Sequence, residues 1–179
     1  MTRECIIQRE RFNMAKRLII LGAGGYGRTV VDLAEQLGYA PIITLDDKFT
    51  DFKLSTFHSY VDSNTEFVVA FGNNQFRLKW CNKIVESGAK LATLIHPTAY
   101  VSPKAKILEG CVVLPKAIVN TGVEVRRGSI INLGCIVDHD TVIDEGCHIC
   151  VGAIIKGENT ISSLQKIEAG TVIDRGMLK

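Results

Sequence analysis

Between Ile131 and Ile149 the chain reads INLGCIVDHDTVIDEGCHI, with a branched aliphatic residue at every sixth position: Ile131, Val137, Ile143 and Ile149. The count runs without a miss from Ile95 to Ile173, fourteen positions in all. Two residues before most of them stands a small side chain, as at Ala99, Ala105, Cys111, Ala117, Ser129, Cys135, Thr141, Cys147 and Ala153. Glycine recurs three residues after many, as at Gly110, Gly122, Gly128, Gly134, Gly146, Gly152 and Gly170. A period of six excludes an α-helix. It fits a short strand followed by a tight corner, with glycine where the backbone bends sharply. Three such hexads close one triangular coil, and stacked coils make a parallel β-helix, a solenoid that buries a single column of side chains. Each buried Val or Ile contributes about 1.5–3 kcal/mol, so the column supplies on the order of tens of kcal/mol before the entropy of ordering the coils is subtracted. The period leaves the hand of the coil open.

Upstream, the pattern changes. Arg17 to Leu21 is a short apolar strand, followed by Gly22-Ala23-Gly24-Gly25-Tyr26-Gly27 and a helical pattern through Thr29, Val30, Leu33, Ala34 and Leu37 that Gly38 closes. A second strand, Ile42 to Leu45, ends in Asp46-Asp47. A third, Phe67 to Phe71, ends in Gly72-Asn73-Asn74 and is followed by a helix from about Gln75 to Glu86. Leu91 to Ile95 is expected as the fourth strand and the passage into the solenoid. Strands alternating with helices imply a small parallel sheet whose strand ends open on one edge, where a ligand belongs. The organisation expected is a tail over 1–15, a Rossmann-like half-domain over 16–94 and a β-helix over 95–179. Met14 stands just before the first strand and is a candidate start.

Gly22, Gly24 and Gly27 fit G-x-G-x-x-G between a strand and a helix, and Asp46 follows Gly27 by 19 residues. Glycines let a diphosphate approach the backbone, the helix N-terminus supplies partial positive charge, and a carboxylate at the next strand end accepts from ribose or sugar hydroxyls. The segment holds about half of a doubly wound dinucleotide fold, so a nucleotide-sugar fits better than NAD. The bland alternative is a purely structural tight turn.

The totals narrow the class. A formal net charge of +2 on 179 residues, without a basic stripe interleaved with aromatics, argues against a nucleic-acid partner. No membrane span and no signal peptide are legible, so the cytoplasm is the expected compartment. The six cysteines lack metal-type pairings, and Cys111, Cys135 and Cys147 fall at the small hexad position, where a thiol packs as a small hydrophobe. No metal site is expected.

His139 lies two positions past an inward Val, at a corner of the coil, bracketed by Asp138 and Asp140. Flanking acids raise the basicity of an imidazole and fix its tautomer, as a general base near neutral pH requires. His148 precedes inward Ile149 and is expected to point outward. The bland reading makes both of them solvated surface histidines.

From Lys16 onward the sequence resembles the NeuD/PglD family of acetyl-CoA-dependent sugar acyltransferases. The resemblance rests on Gly22 to Gly27, Leu45-Asp46-Asp47, Ala70 to Asn74 with Arg77, Ile95-His96-Pro97, and Asn132 through Gly157. It implies a left-handed β-helix and a homotrimer with sites between neighbouring solenoids. His139 resembles the catalytic base and Asp140 the carboxylate that orients it; His148, Gly157 and Ala169 resemble residues lining the acetyl-CoA site. Gly24, Gly25, Tyr26, Asp46, Asp47, Gly72 and Asn73 resemble the sugar-nucleotide pocket, with Asn132 placing the acceptor. Tyr26 departs from the family pattern, where histidine is common. The family also continues one coil past Met177, so the chain is expected to lack its last coil. The implied reaction is acetyl transfer to the amino group of a UDP-linked 4-amino-4,6-dideoxy sugar. The other readings are sialic acid O-acetylation, a non-catalytic sugar-nucleotide scaffold, and a gamma-carbonic-anhydrase-like metal site using His96, His139 and His148.

Overall fold

The computed structural model describes residues 16–178; the expected tail, the candidate start at Met14 and Lys179 lie outside the described residues. The chain begins with strand β1 (Arg17–Leu21), helix α1 (Gly25–Gln36), β2 (Ile42–Leu45), a 3₁₀ turn (Leu54–Tyr60), β3 (Thr65–Val69), helix α2 (Asn74–Glu86) and β4 (Lys90–Leu91). The four strands form one parallel sheet in the order β2-β1-β3-β4. Leu18, Ile19, Ile20 and Leu21 are all buried, as a strand covered on both faces requires. Val30, Leu33 and Ala34 seat α1 on one face of the sheet, while Cys81 and Ile84 seat α2 on the other.

The expected fourth strand is two strands. Ala92 N–H donates to Phe67 O (2.7 Å), whereas Leu94 N–H donates to Cys111 O (3.0 Å). The backbone changes hydrogen-bonding partner between them, so β4 closes the first sheet and Leu94–Ile95 opens the solenoid.

From there the chain is a left-handed parallel β-helix of two-residue strands, each pairing with the strand 18 residues on, as Ile130 with His148. It has three faces. The first carries Leu94–Ile95, Val112–Val113, Ile130–Ile131, His148–Ile149 and Lys166–Ile167; the second runs from Tyr100–Val101 to Val172–Ile173 and the third from Lys106–Ile107 to Thr160–Ile161. The second residue of each pair points into the column. Val113, Val119, Val125, Ile131, Val137, Ile143, Ile149, Ile155 and Ile161 are completely buried, with Cys111, Cys135, Cys147 and Ala153 filling the corners. Burial pushes the Cys135 and Cys147 thiols up to about 11 and Cys111 to about 12, so these are inert core groups.

The two parts are joined along one edge of the prism. Helix α2 lies along the corner between the third and first faces, where Gly110, Gly128 and Gly146 recur one coil apart. A Cβ on Gly128 would lie 3.1 Å from Cys81 Sγ, and one on Gly146 3.2 Å from Leu78 Cβ. The fit is metrical: a helix rises about 5.4 Å per turn and stacked strands repeat every 4.7–4.9 Å or so, so each helical turn meets one coil. Asn74 Nδ2 donates to Leu164 O (2.9 Å), and Arg77 donates to Gly146 O (2.8 Å), Cys147 O (3.1 Å) and Gly128 O (2.7 Å). Arg77 is wholly buried and also holds Phe71 O and Asn74 Oδ1 (both 2.9 Å). The first face is thereby covered, with Leu94, Val112 and Leu114 sharing a core with Leu18, Ile20, Val30 and Val68. The same contacts bring the start of α2, and with it the edge of the first sheet where its strands end, beside the coil containing Leu164.

Candidate active site

His139 and Asp140 stand at the corner between the second and third faces. His139 Nδ1 lies 2.9 Å from Asp140 Oδ2, so the carboxylate holds the proton on Nδ1 and leaves the Nε2 lone pair free. Among the described residues Asp140 is one of four non-glycine residues in the left-handed region (φ 54), at a corner position where most hexads place glycine. Asp tolerates that conformation better than most residues. Asp138 Oδ1 accepts from Asn120 Nδ2 and from the His139 N–H, both at 2.8 Å, which holds its carboxyl below the usual range. The Asp140 hydrogen bond, reinforced by the nearby Asp138 and Asp140 charges, raises the His139 pKa above its ordinary value, against partial opposition from desolvation and Arg175.

The neighbouring coils shape this corner. A Cβ on Gly157, one coil on from His139, would lie 2.8 Å from Nε2, and one on Gly122, one coil before Asp140, 2.3 Å from Oδ1. Both glycines make room for the dyad. Asn120 and Gly122 were missed by the sequence reading, although the 18-residue coil repeat that pairs 120 with 138 and 122 with 140 could have found them.

His148 is in the opposite state. It projects from the first face as expected, but under the covering half-domain, and its Nδ1 is buried without a hydrogen-bond partner among the described residues. Asn132 Oδ1 is taken by Leu133 N–H (2.8 Å), which turns the amide Nδ2 toward His148 Nε2 at 3.0 Å. Nε2 therefore accepts and Nδ1 carries the proton. Burial, with Arg77 and Lys166 nearby, lowers the His148 pKa to about 4. The Asn132–His148 pair and exposed Ala169 border the other edge of the second face, so one chain does not bring them to His139. His96 is occupied elsewhere: Nδ1 accepts from Thr98 N–H (3.0 Å) and Nε2 donates to Gln36 Oε1 (3.0 Å). No cluster of three potential metal ligands occurs among the described residues.

At the sheet edge, the glycines of the fingerprint divide the work. A Cβ on Gly22 would strike Ala70 O at 2.7 Å and one on Gly27 would strike Gly22 O at 2.1 Å, so these two serve the turn itself. Around Gly24, Gly25 and Gly72 there is space: the nearest atoms to an added Cβ are Phe49 at 3.9 Å, Arg28 at 4.0 Å and nothing within 4 Å, respectively. The side chains expected here are largely engaged. Asp46 is buried, its Oδ2 accepting from Ala23 N–H (2.8 Å) and its Oδ1 from Lys48 N–H (2.8 Å) and Phe49 N–H (3.1 Å). Asp47 Oδ1 accepts from Leu54 N–H (2.9 Å), and Asn73 Oδ1 caps α2 by accepting from Phe76 N–H (2.8 Å). The Tyr26 hydroxyl is buried between the two parts with no partner among the described residues, and burial raises its pKa far above normal. The edge therefore offers a ligand open backbone more than free acids.

Residues 17–84 match the family described as the PglD N-terminal domain. Over 111 residues the chain is 31% identical to UDP-N-acetylbacillosamine N-acetyltransferase of Bacillus subtilis (strain 168), a match covering 55% of this chain and 51% of that protein. The chain thus spans about half the length of this curated relative. Its fold matches the acetyltransferase domain of PglB from Neisseria gonorrhoeae FA1090, also solved in complex with acetyl coenzyme A, with a TM-score of 0.84 and 34% identity over 90% of this chain and 83% of that one. A variant of perosamine N-acetyltransferase from Caulobacter crescentus, solved with CoA and GDP-perosamine, shares the fold with a TM-score of 0.79 at 24% identity, over 91% of this chain and 90% of that one.

Proposed function

Since the chain belongs to the NeuD/PglD family of sugar acetyltransferases, we propose that it moves acetyl from acetyl-CoA to the amino group of a nucleotide-linked sugar, with His139 as general base. The observation that carries this reading is the His139–Asp140 contact of 2.9 Å at Nδ1, with Nε2 left free. The sugar amine attacks the thioester carbonyl and Nε2 takes the amine proton; as the C–S bond breaks, the imidazolium returns that proton to the departing sulfur and coenzyme A leaves as the thiol. Asp140 keeps the imidazole in the productive tautomer and steadies the imidazolium as it forms. Backbone N–H groups near Gly157 would meet the developing oxyanion. His148 serves as a wall of the acetyl-CoA site together with Gly157 and Ala169, with Asn132 beside it to place the acceptor; a histidine with a pKa near 4 is too weak a base for the transfer at neutral pH.

The acceptor we favour is a UDP-linked 4-amino-4,6-dideoxy sugar, held by the open backbone at Gly24, Gly25 and Gly72 and by the loops ending in Asp47 and Asn73. Support comes from the Bacillus relative's name, which specifies a UDP-sugar N-acetyltransferase. The donor is acetyl-CoA, the molecule bound in the Neisseria structure, and its use fits a cytoplasmic enzyme.

We further propose a homotrimer. The outward residues of the second face are Tyr100, Ile118, Ile136, Ile154 and Val172, all apolar, and Tyr100 is 55% and Val172 50% exposed. An apolar column of this length on a soluble surface calls for a partner. Packing copies through it would set the Asn132–His148–Ala169 edge of one chain beside the His139 corner of the next and complete a site that one chain holds in two halves.

The test is thiol release from acetyl-CoA by the purified protein, offered UDP-4-amino sugars, a GDP-4-amino sugar and sialic acid, with His139→Ala alongside. Release that requires a nucleotide-linked amino sugar and His139 is expected. Release that survives His139→Ala would overturn the base assignment, and release with sialic acid alone would overturn the acceptor class.

A further inference from the structure

The position of Phe49 is unexplained by packing. It is a large apolar side chain left 59% exposed, yet the loop that carries it is tightly built. A single buried carboxylate, Asp46, receives the N–H groups of Lys48 and Phe49 on one oxygen and the N–H of Ala23 on the other. This ties the Phe49 loop to the glycine turn. The ring edge lies 3.9 Å from where a Gly24 Cβ would be, so any side chain there would begin to fill the space beside it. On its other side the ring helps line a cleft of about 530 Å³ with Phe52, Tyr60 and the exposed edge of β2 at Ile42 and Thr44. A solvent-facing aromatic ring on a tied-down loop, with Lys48 Nζ 5.1 Å from its centroid, set between a phosphate-type turn and a cleft with further aromatic walls, is suited to a flat π-system joined to a diphosphate.

We infer that Phe49 is the stacking platform for the nucleobase of the sugar nucleotide, and that Asp46 is a positioning residue that aims it. The inference rests on the nucleotide-sugar reading above and deepens it. The sequence spacing suggested that Asp46 meets a ribose or sugar hydroxyl; its three backbone hydrogen bonds instead make it the link between two loops, and the base-contacting group is the aromatic residue three positions later. The edge strand lines the same cleft at Ile42 and Thr44, where the Thr44 carbonyl accepts from the Thr50 hydroxyl (3.5 Å).

The test uses the full chain and simple probes: UDP, GDP and inorganic diphosphate, titrated by calorimetry into the wild-type protein, Phe49→Ala and Phe49→Trp. Base stacking on an aromatic side chain is worth roughly 5- to 160-fold in affinity. Phe49→Ala should weaken whichever nucleotide the wild type binds by about that factor, with diphosphate binding changed less than about twofold. Phe49→Trp should keep nucleotide affinity, and its added indole fluorescence should be quenched by the nucleotide and not by diphosphate. Unchanged nucleotide affinity in Phe49→Ala, or no nucleotide-specific quenching in Phe49→Trp, would overturn the platform while leaving the nucleotide-sugar reading intact. A folded wild-type protein that bound neither nucleotide would overturn both.

Discussion

Two histidines nine positions apart on one solenoid are in opposite chemical states. His139 sits at an open corner against a carboxylate, with its pKa raised; His148 lies on a covered face beside a buried guanidinium, with its pKa lowered to about 4. The coil is the same at both places, and what differs is what lies over it. The contrast teaches that in a repeat fold the backbone supplies positions, while the non-repeating partner decides which of them can do acid–base chemistry.

The contrast can be broken most severely at the corner proposed to carry the base. His139→Ala should lower the rate of acetyl transfer roughly 10²- to 10⁴-fold, whereas His148→Gln should act mainly on the KM for acetyl-CoA; steady-state kinetics on both variants would separate a base from a binding wall. Next in size is the joint. Arg77→Met would leave the carbonyls of Gly128, Gly146 and Cys147 short of buried donors, at about 1–3 kcal/mol for each that water does not reach. A fall in denaturant midpoint is expected, with the His148 titration seen by NMR moving up toward that of an ordinary histidine as the first face opens. A joint variant with His148 still titrating near 4 would show that Arg77 and the covering domain are not what depress it.

Gly157→Ala sharpens the comparison, because Gly157 has no positive φ and the change touches the His139 ring far more than the fold. Displacing a catalytic group by about 1 Å can cost around 10²-fold; kcat should fall toward that figure with little change in Tm. Asp140→Asn removes the leading cause of the raised His139 pKa, so the acidic limb of the kcat/KM profile, which reports deprotonation of the base, should move to lower pH while the plateau falls.

The smallest expected effect is on stability against pH, where the two histidines pull in opposite directions. The lowered pKa of His148 means that the unfolded chain binds its proton first, so stability should be lost as pH falls from about 6.5 toward 4. The raised pKa of His139 contributes stability that is fully present below about 6.5 and is lost as pH rises through its folded value. Thermal melts of His148→Gln should show a shallower acid loss than the wild type.

Much of this was legible in advance. The hexads gave the column, the corners and the outward placement of His139, and acids on both sides of it gave the dyad. The strand–turn–helix reading of Gly22 to Gly27 and the edges at Asp46 and Gly72 also correspond to the elements observed. The expected fourth strand failed because one apolar run, Leu91 to Ile95, serves two sheets, and a change of hydrogen-bonding partner leaves little mark on hydrophobicity. Asp46 drew a ligand role from its spacing, but spacing does not show the three backbone N–H groups that its carboxylate also receives.

By itself the sequence determined the coil and everything that repeats with it, including the glycines that the 18-residue repeat places against His139 and Asp140. Contacts between stacked coils are fixed by register, so a periodic sequence encodes them directly. Only the tertiary structure decided that His148 is neutral, that Tyr26 is buried and that Asp46 ties down the Phe49 loop. Those outcomes depend on desolvation and hydrogen bonds between segments far apart in the chain, set by how α2 and Arg77 lay a non-repeating domain along one edge of the solenoid.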